Sequence, residues 1–296
     1  MARASTGSKI LNSILRFVNF KSYLEKILDS GKINERNGKE PSRYLLLGLD
    51  LEKKQINGRT VFIIKSKKEK SKTNILFFHG GAYINNFSII HWLLLRQIVK
   101  ATKCTVIAPD YPLAPKNTYK DSFKMVIPIY EDLLAKVGGE NIILMGDSSG
   151  GGFALALAEK MQEEHREKAN QIILLSPWLD ITLKNKEILK VDPKDPVLGI
   201  DSLKRAGKLY AGASDCNNYL LSPINGEIQG LGKISIFIGT NDILEPDARK
   251  FNKIAKEKGV EINYYESKDM IHTWMFFYLK ESKETIKEIV NLIKSN

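Results

Sequence analysis

The sequence predicts an α/β protein built on a mostly parallel central sheet with helices on both faces. Three observations predict it. Short β-branched and apolar runs alternate with longer stretches of helical spacing over most of the 296 residues, the rhythm of strands joined by helical crossovers. Several runs are apolar throughout, as in Asn74-Ile75-Leu76-Phe77-Phe78 and Ile234-Ser235-Ile236-Phe237-Ile238, which fits strands covered on both faces. The segments that follow these runs carry glycines, histidines and aspartates, and in such sheets ligands bind at the carboxyl ends of the strands.

In chain order, Ile10, Leu11, Ile14, Leu15 and Val18 recur at helical spacing with Lys9, Arg16 and Lys21 between them. This predicts a basic amphipathic helix with its apolar face packed on the protein; a membrane-surface helix is the alternative. Gly31 to Pro41 reads as a polar connector, Thr60 to Ile64 as a strand, Lys65 to Thr73 as a charged turn, and Asn74 to Phe78 as a buried strand. Ile89 to Ala101 is helical, Thr105 to Ala108 a strand, and Pro109 to Pro115, with three prolines, a rigid loop. Lys120 to Val137 reads as a helix kinked at Pro128 and ended by Gly138-Gly139. Asn141 to Met145 is a buried strand, followed by a turn and an alanine-rich helix that closes in the charged run Glu163 to Lys168. Ile172 to Leu175 is a strand, and residues 179–222 lose the rhythm as a polar insertion. It returns with strand Ile234 to Ile238, helix Pro246 to Lys258, strand Glu261 to Tyr265, loop Asp269 to Thr273 and a closing helix.

Apolar content of 43% and charged content of 27% are ordinary for a soluble globular chain, long enough for one large domain or a domain with an insertion. Cys104 and Cys216 are far apart and match no metal spacing, which predicts a reduced, cytoplasmic chain without a metal. The formal charge of +11 comes mostly from scattered lysines. Without a nucleic-acid motif this argues for a solvated basic surface and no nucleic-acid role, leaving weak attraction to anionic surfaces open. No apolar run reaches the length of a membrane span.

The chemistry centres on Gly146-Asp147-Ser148-Ser149-Gly150 between strand and helix. A Gly-x-Ser-x-Gly turn there presents a nucleophilic serine, expected to stand exposed at the strand's end, and a Cβ at either glycine would collide with the opposing backbone. The serine needs a general base and a group to orient that base. Of four histidines, His165 sits in a charged helix tail, His91 in a helix beside Trp92 as packing or surface, and His79 at a strand end with an orienting role. His272, in the loop after the last strand, is the base. Asp242, closing the loop after Ile234 to Ile238, is the acid; Glu245, Asp247 and Asp269 compete, though the first two flank Pro246 at a helix start where acids serve as caps. The order Ser148, Asp242, His272 is that of the α/β-hydrolase fold. His79-Gly80-Gly81-Ala82 supplies an oxyanion hole, with the amides of Gly80, Gly81 and Ser149 as donors and His79 and Asp147 as supporting residues.

These stretches, with Asp110-Tyr111-Pro112-Leu113-Ala114-Pro115, Leu221-Ser222-Pro223-Ile224, Gly239 to Leu244 and His272-Thr273-Trp274, resemble the successive motifs of the hormone-sensitive-lipase family of carboxylesterases. The resemblance runs from about Asn74 to the end. It implies a single α/β-hydrolase domain over 1–296 with a helical cap from residues 1 to about 45 and about 179 to 222. It also implies a metal- and cofactor-independent serine esterase for short to medium acyl chains, acting on a small-molecule ester as monomer or homodimer. Three departures stand out: Ala82 where a third glycine is common, Pro112 for the usual arginine, and Trp274 for phenylalanine. The same machinery would suit an acetylated sugar, a formyl-kynurenine or another amide, and a non-catalytic ligand-binding relative is a further alternative.

Overall fold

The computed structural model describes residues 4–31, 40–42, 44–68 and 70–296. The chain forms α1 (Thr6–Phe17), α2 (Tyr23–Ser30), β1 (Leu49–Ile56), β2 (Arg59–Ser66), β3 (Asn74–Phe78), α3 (Ile89–Thr102), β4 (Thr105–Pro109), α4 (Tyr119–Val137), β5 (Ile142–Asp147) and α5 (Ser149–Glu163). It continues with β6 (Gln171–Leu175), α6 (Ile188–Val191), α7 (Ile200–Ala211), β7 (Lys233–Gly239), α8 (Glu245–Glu257), β8 (Ile262–Ser267) and α9 (Lys280–Lys294). Most of the predicted connector, residues 32–39, lies outside the described residues.

Among the described residues the strands make one eight-stranded sheet in the order β1-β2-β4-β3-β5-β6-β7-β8. From β4 to β8 neighbouring strands are parallel, while β2 pairs antiparallel with both β1 and β4. The exchange of β3 and β4 in that order makes a switch point, and β3 and β5, which lead into the glycine-rich loop and the serine turn, lie side by side. Their register pairs Phe78 with Gly146, so both loops leave the sheet at the same level.

Both faces carry a core, which is why the central strands are apolar on both alternations. One forms where Phe123 and Val126 of α4, Phe153 and Leu157 of α5 and Phe251 of α8 meet the sheet. On the other face Trp92, Leu95 and Ile98 of α3 and Ile289 and Ile293 of α9 pack against Phe77, Ile143 and Ile173. Each large side chain so buried contributes about 1.5–3 kcal/mol.

Sequence and structure differ at strand β1 and at helix α1. Strand β1 shows no apolar period because its Leu49-Asp50-Leu51-Glu52-Lys53-Lys54-Gln55-Ile56 is a solvated, charged edge; Asn57-Gly58, with φ of 51° and 74°, is the hairpin turn that marks it. Helix α4 runs as one element across Pro128. The insertion holds α6 and α7, and α7 packs against α2, so the N-terminal helices and residues 179–222 are one neighbourhood. Here Arg16 donates to the carbonyls of Pro193 (3.1 Å) and Lys194 (2.6 Å), and Lys21 pairs with Asp192 at 2.7 Å. Finally, α1 does not bury its apolar stripe. Leu15 enters the core, but Ile10, Ile14 and Phe17 stay 55%, 53% and 91% exposed. At 3.6 residues per turn these three lie about 100–160° round the helix from Leu15, and the helix docks through its Ser8–Leu15 side, where the Ser5 cap, bonded to Glu281, anchors it.

Candidate active site

The serine turn forms because β5 must reverse into α5 within one residue. Ser148 takes φ 52° and ψ −122°, a strained conformation for a residue with a side chain. Hydrogen bonds on both sides hold it: Ser148 N–H donates to the Leu175 carbonyl at 2.8 Å, and its own carbonyl accepts from Gly151, Gly152 and Trp178 at 3.0, 3.1 and 2.9 Å. A Cβ on Gly146 would lie 2.2 Å from the Gly150 carbonyl oxygen, and one on Gly150 2.0 Å from that of Phe78. Both glycines are therefore required by contact. The serine is only 6% exposed, against the expectation that it stands clear, because the loops after β3 and β6 close over it; a Cβ on Gly80 would come within 3.0 Å of Ser148 Cβ.

Two further loops meet behind the turn. Asp242, completely buried, leaves β7, and His272 leaves β8; His272 Nδ1 donates to Asp242 Oδ2 at 2.8 Å. The other carboxylate oxygen, Oδ1, accepts from Leu244 N–H at 3.0 Å, which fixes the rotamer. Burial alone would pull the His272 pKa down, but the Asp242 charge and hydrogen bond, with smaller contributions from Asp195 and Asp147, outweigh it and raise the value above 6.5. The two loops are laced together by Asn241 N–H to the Met270 carbonyl (2.9 Å) and Asp269 N–H to Thr240 Oγ1 (2.8 Å). Gly239 is required where they cross, since its Cβ would meet the Met270 carbonyl oxygen at 2.3 Å. Thr273 N–H donates to Ser176 Oγ at 3.0 Å, linking the histidine loop to the residue after Leu175, the partner of Ser148 N–H.

Of the competing acids, Glu245 and Asp247 sit in the first turn of α8, where burial pushes their pKa values up to about 7 and 6. Asp269 serves the loop through a left-handed backbone (φ 62°). His165 is exposed just past the end of α5, as its charged surroundings imply.

The glycine-rich loop requires a correction. Gly80 N–H, expected as an oxyanion donor, points the other way and donates to Asp147 Oδ1 at 2.9 Å. Its lack of a side chain serves packing: a Cβ would stand 2.2 Å from Asp147 Oδ2. The loop then turns through positive φ at Gly81 (124°), Ala82 (55°) and Tyr83 (60°). Tyr83 N–H donates to Ser149 Oγ at 3.3 Å, while the N–H groups of Gly81, Ala82 and Ser149 have no acceptor among the described residues.

His79 is fully buried beside this loop. Burial, with the nearby His91, lowers its pKa to about 3, so it is neutral and its Nδ1–H donates to the Gly80 carbonyl at 2.7 Å. Its ring stacks on Tyr111 with centroids 4.5 Å apart, and Tyr111 hydroxyl donates to the His79 carbonyl at 2.6 Å. Asp110, in the motif where Pro112 stands for the usual arginine, is buried and pairs with Arg59 of β2 at 2.7 Å.

Two residues went unrecognised in the sequence. His91, read as packing or surface, accepts Ser88 N–H on Nδ1 at 2.9 Å, so its proton is on Nε2, 3.5 Å from Asp147 Oδ1. The helix-start spacing Ser88-x-x-His91 was the available signal. Asp195, from the insertion, is buried and accepts from Val197 (2.7 Å), Leu198 (3.0 Å) and Ile243 (2.9 Å), the last being the neighbour of Asp242. Burial and the Asp242 charge push its pKa up to about 6. Only an Asp-Pro turn marks it in the sequence.

A mostly parallel sheet, a serine on a strained strand-to-helix turn and an aspartate–histidine pair on the last two strand ends define an α/β hydrolase. The family model for the alpha/beta hydrolase fold matches residues 75–276, and the chain belongs to that family. An esterase of Acinetobacter venetianus is 28% identical over 235 residues, covering 77% of each chain. A Staphylococcus aureus crystal structure, provisionally assigned as an esterase, superposes with a TM-score of 0.86 at 29% identity over 92% of each chain. A hormone-sensitive lipase from a metagenome library shares the fold at a TM-score of 0.84, with 24% identity over 99% of each chain. The resemblance to hormone-sensitive-lipase esterases read from the motifs is thus met by its relatives. No helix among the described residues is long and apolar enough to cross a membrane.

Proposed function

We propose that this carboxylic ester hydrolase works as a serine esterase on short to medium acyl esters, through Ser148, His272 and Asp242. The observation that carries the reading is the buried 2.8 Å His272–Asp242 pair, joined through Ser176 and Leu175 to the strained turn of Ser148. Nδ1–H is committed to Asp242, so His272 Nε2 has a free lone pair. It takes the Ser148 proton as Oγ attacks the ester carbonyl, and Asp242 stabilises the imidazolium. The amides of Gly81, Ala82 and Ser149 receive the oxyanion, and Gly80 holds their loop in place through Asp147. Collapse expels the alcohol, which takes the proton from His272. Water, deprotonated by the same histidine, then cleaves the acyl-serine to the acid and returns Ser148. The α1–α2 helices and residues 179–222 form the cap that selects the acyl chain.

The test is a fluorophosphonate probe with the adduct mapped by mass spectrometry, alongside p-nitrophenyl esters of graded acyl length, acetylated sugars and anilides. Labelling at Ser148 and loss of ester hydrolysis in a folded Ser148→Ala variant are expected. An unlabelled but folded protein, or an active alanine variant, overturns the proposal.

A further inference from the structure

Beyond the esterase reading, the geometry points to a second ligand site: a groove between α3 and the α9 region that binds the carboxylate and chain of a free fatty acid. The groove has a volume of about 680 Å³, within the range of small-molecule sites. Its walls divide by chemistry. Leu93 and Leu94 of α3, Phe276 and Phe277 of the turn after His272, and Ile286 of α9 give an apolar channel, while Arg96 and Lys100 of α3 and Lys283 of α9 add three cations. No acidic side chain lines it.

The fold does not neutralise these three cations. Arg96 Nε is buried without a hydrogen-bond partner, and Lys283 Nζ lies 4.3 Å over the exposed Tyr278 ring. None of the three is paired with a carboxylate among the described residues. A desolvated guanidinium nitrogen left without an acceptor costs free energy that an incoming anion would recover. Leu93, Arg96 and Lys100 share one stripe of α3 by their spacing, so polarity rises along the groove from an apolar end beside Phe276 to a cationic end at Lys100. A single anionic head on one unbranched apolar chain matches that gradient. An inorganic anion would leave the apolar walls wet, and a neutral lipid would leave the cations unpaired.

The groove also shares a wall with the hydrolytic site. Phe276 meets His91 edge-on at 5.3 Å between centroids, and His91 holds Asp147 beside Ser148.

Isothermal titration with sodium laurate, below its micellar concentration, tests the proposal on the intact chain before and after fluorophosphonate treatment. One laurate per chain is expected in both samples, with affinity weakened about tenfold or more in Arg96→Glu/Lys100→Glu. Dodecyltrimethylammonium should not bind. The double variant should keep its melting temperature and its hydrolysis of p-nitrophenyl acetate, since neither residue belongs to the catalytic machinery. Laurate affinity unchanged by the charge reversal, equal binding of the cationic detergent, or binding lost on phosphonylation would overturn the groove as the site. So would a charge-sensitive affinity for phosphatidylglycerol vesicles without laurate binding, or a dimer in sedimentation that Tyr278→Asp dissolves. Failure of the probe to label Ser148 would count against the esterase reading alone, because the charge-reversal comparison still reports on the groove.

Discussion

Replacing Asp242 with asparagine should abolish most activity while leaving the protein at least as stable. Leu244 N–H holds the Oδ1 position of residue 242 at 3.0 Å, so an asparagine keeps its oxygen there and turns Nδ2 toward His272. That nitrogen donates where Asp242 Oδ2 accepted at 2.8 Å, which forces His272 to accept on Nδ1 and carry its proton on Nε2. In that tautomer it cannot take the serine proton. The opposite amide orientation faces Nδ2 against Leu244 N–H and loses that bond. A wrong tautomer in the analogous serine-protease triad lowers kcat by about 10⁴, or roughly 5.5 kcal/mol of transition-state stabilisation. Stability should move the other way, because Asp195, whose pKa is pushed up to about 6 by burial and the Asp242 charge, loses its like-charged neighbour. The assay is kcat on p-nitrophenyl acetate with thermal unfolding of both proteins at pH 7. An Asp242→Asn enzyme retaining a tenth of its activity would refute the assignment and direct attention to Asp195 as the acid. A marked fall in melting temperature would refute the repulsion argument.

Other expectations follow from the same geometry. Because His272 must be deprotonated to act and its pKa is raised above 6.5, activity should be full at alkaline pH and fall as pH drops through that raised value. Asp195→Asn, which removes one of the raising charges, should move the acid limb of kcat/KM to lower pH, and a limb at or below 6.5 in the parent enzyme would contradict the charge balance. Gly80→Ala, whose Cβ would meet Asp147 Oδ2 at 2.2 Å, should displace the donor loop, lower kcat about 10²-fold and cost about 1–3 kcal/mol in denaturant unfolding. Arg59→Leu leaves buried Asp110 without its 2.7 Å ion pair; a loss of about 3 kcal/mol is expected in denaturant unfolding, and one below about 0.5 kcal/mol would refute the buried-pair argument.

Strands and helices whose periodicity is set within a few residues were legible: β3, β5, β7 and their crossover helices emerge from apolar runs and capping residues alone. The serine turn was legible for the same reason, since Gly146 and Gly150 answer to contacts inside a single β-turn-α unit and its neighbour strand. Chain order then separated His272 and Asp242 from their competitors, and the structure joins them in a hydrogen bond. Strand β1 was hidden because a charged edge carries no apolar period, although Asn57-Gly58 announced its hairpin.

What the sequence by itself determined, then, was the α/β layering, the serine turn and the aspartate–histidine pair, because each depends on backbone period, local sterics or the order of strand ends. Tertiary structure alone decided which amides are free. Gly80 and Gly81 are equivalent as letters, yet Gly80 N–H is taken by Asp147, 67 positions away. It also decided that Asp195 crosses from the insertion to the loop of Asp242, that Arg59 of β2 pairs with buried Asp110, and that α1 turns Phe17 outward. Each of these depends on which surfaces distant segments present to one another, and no local pattern encodes that.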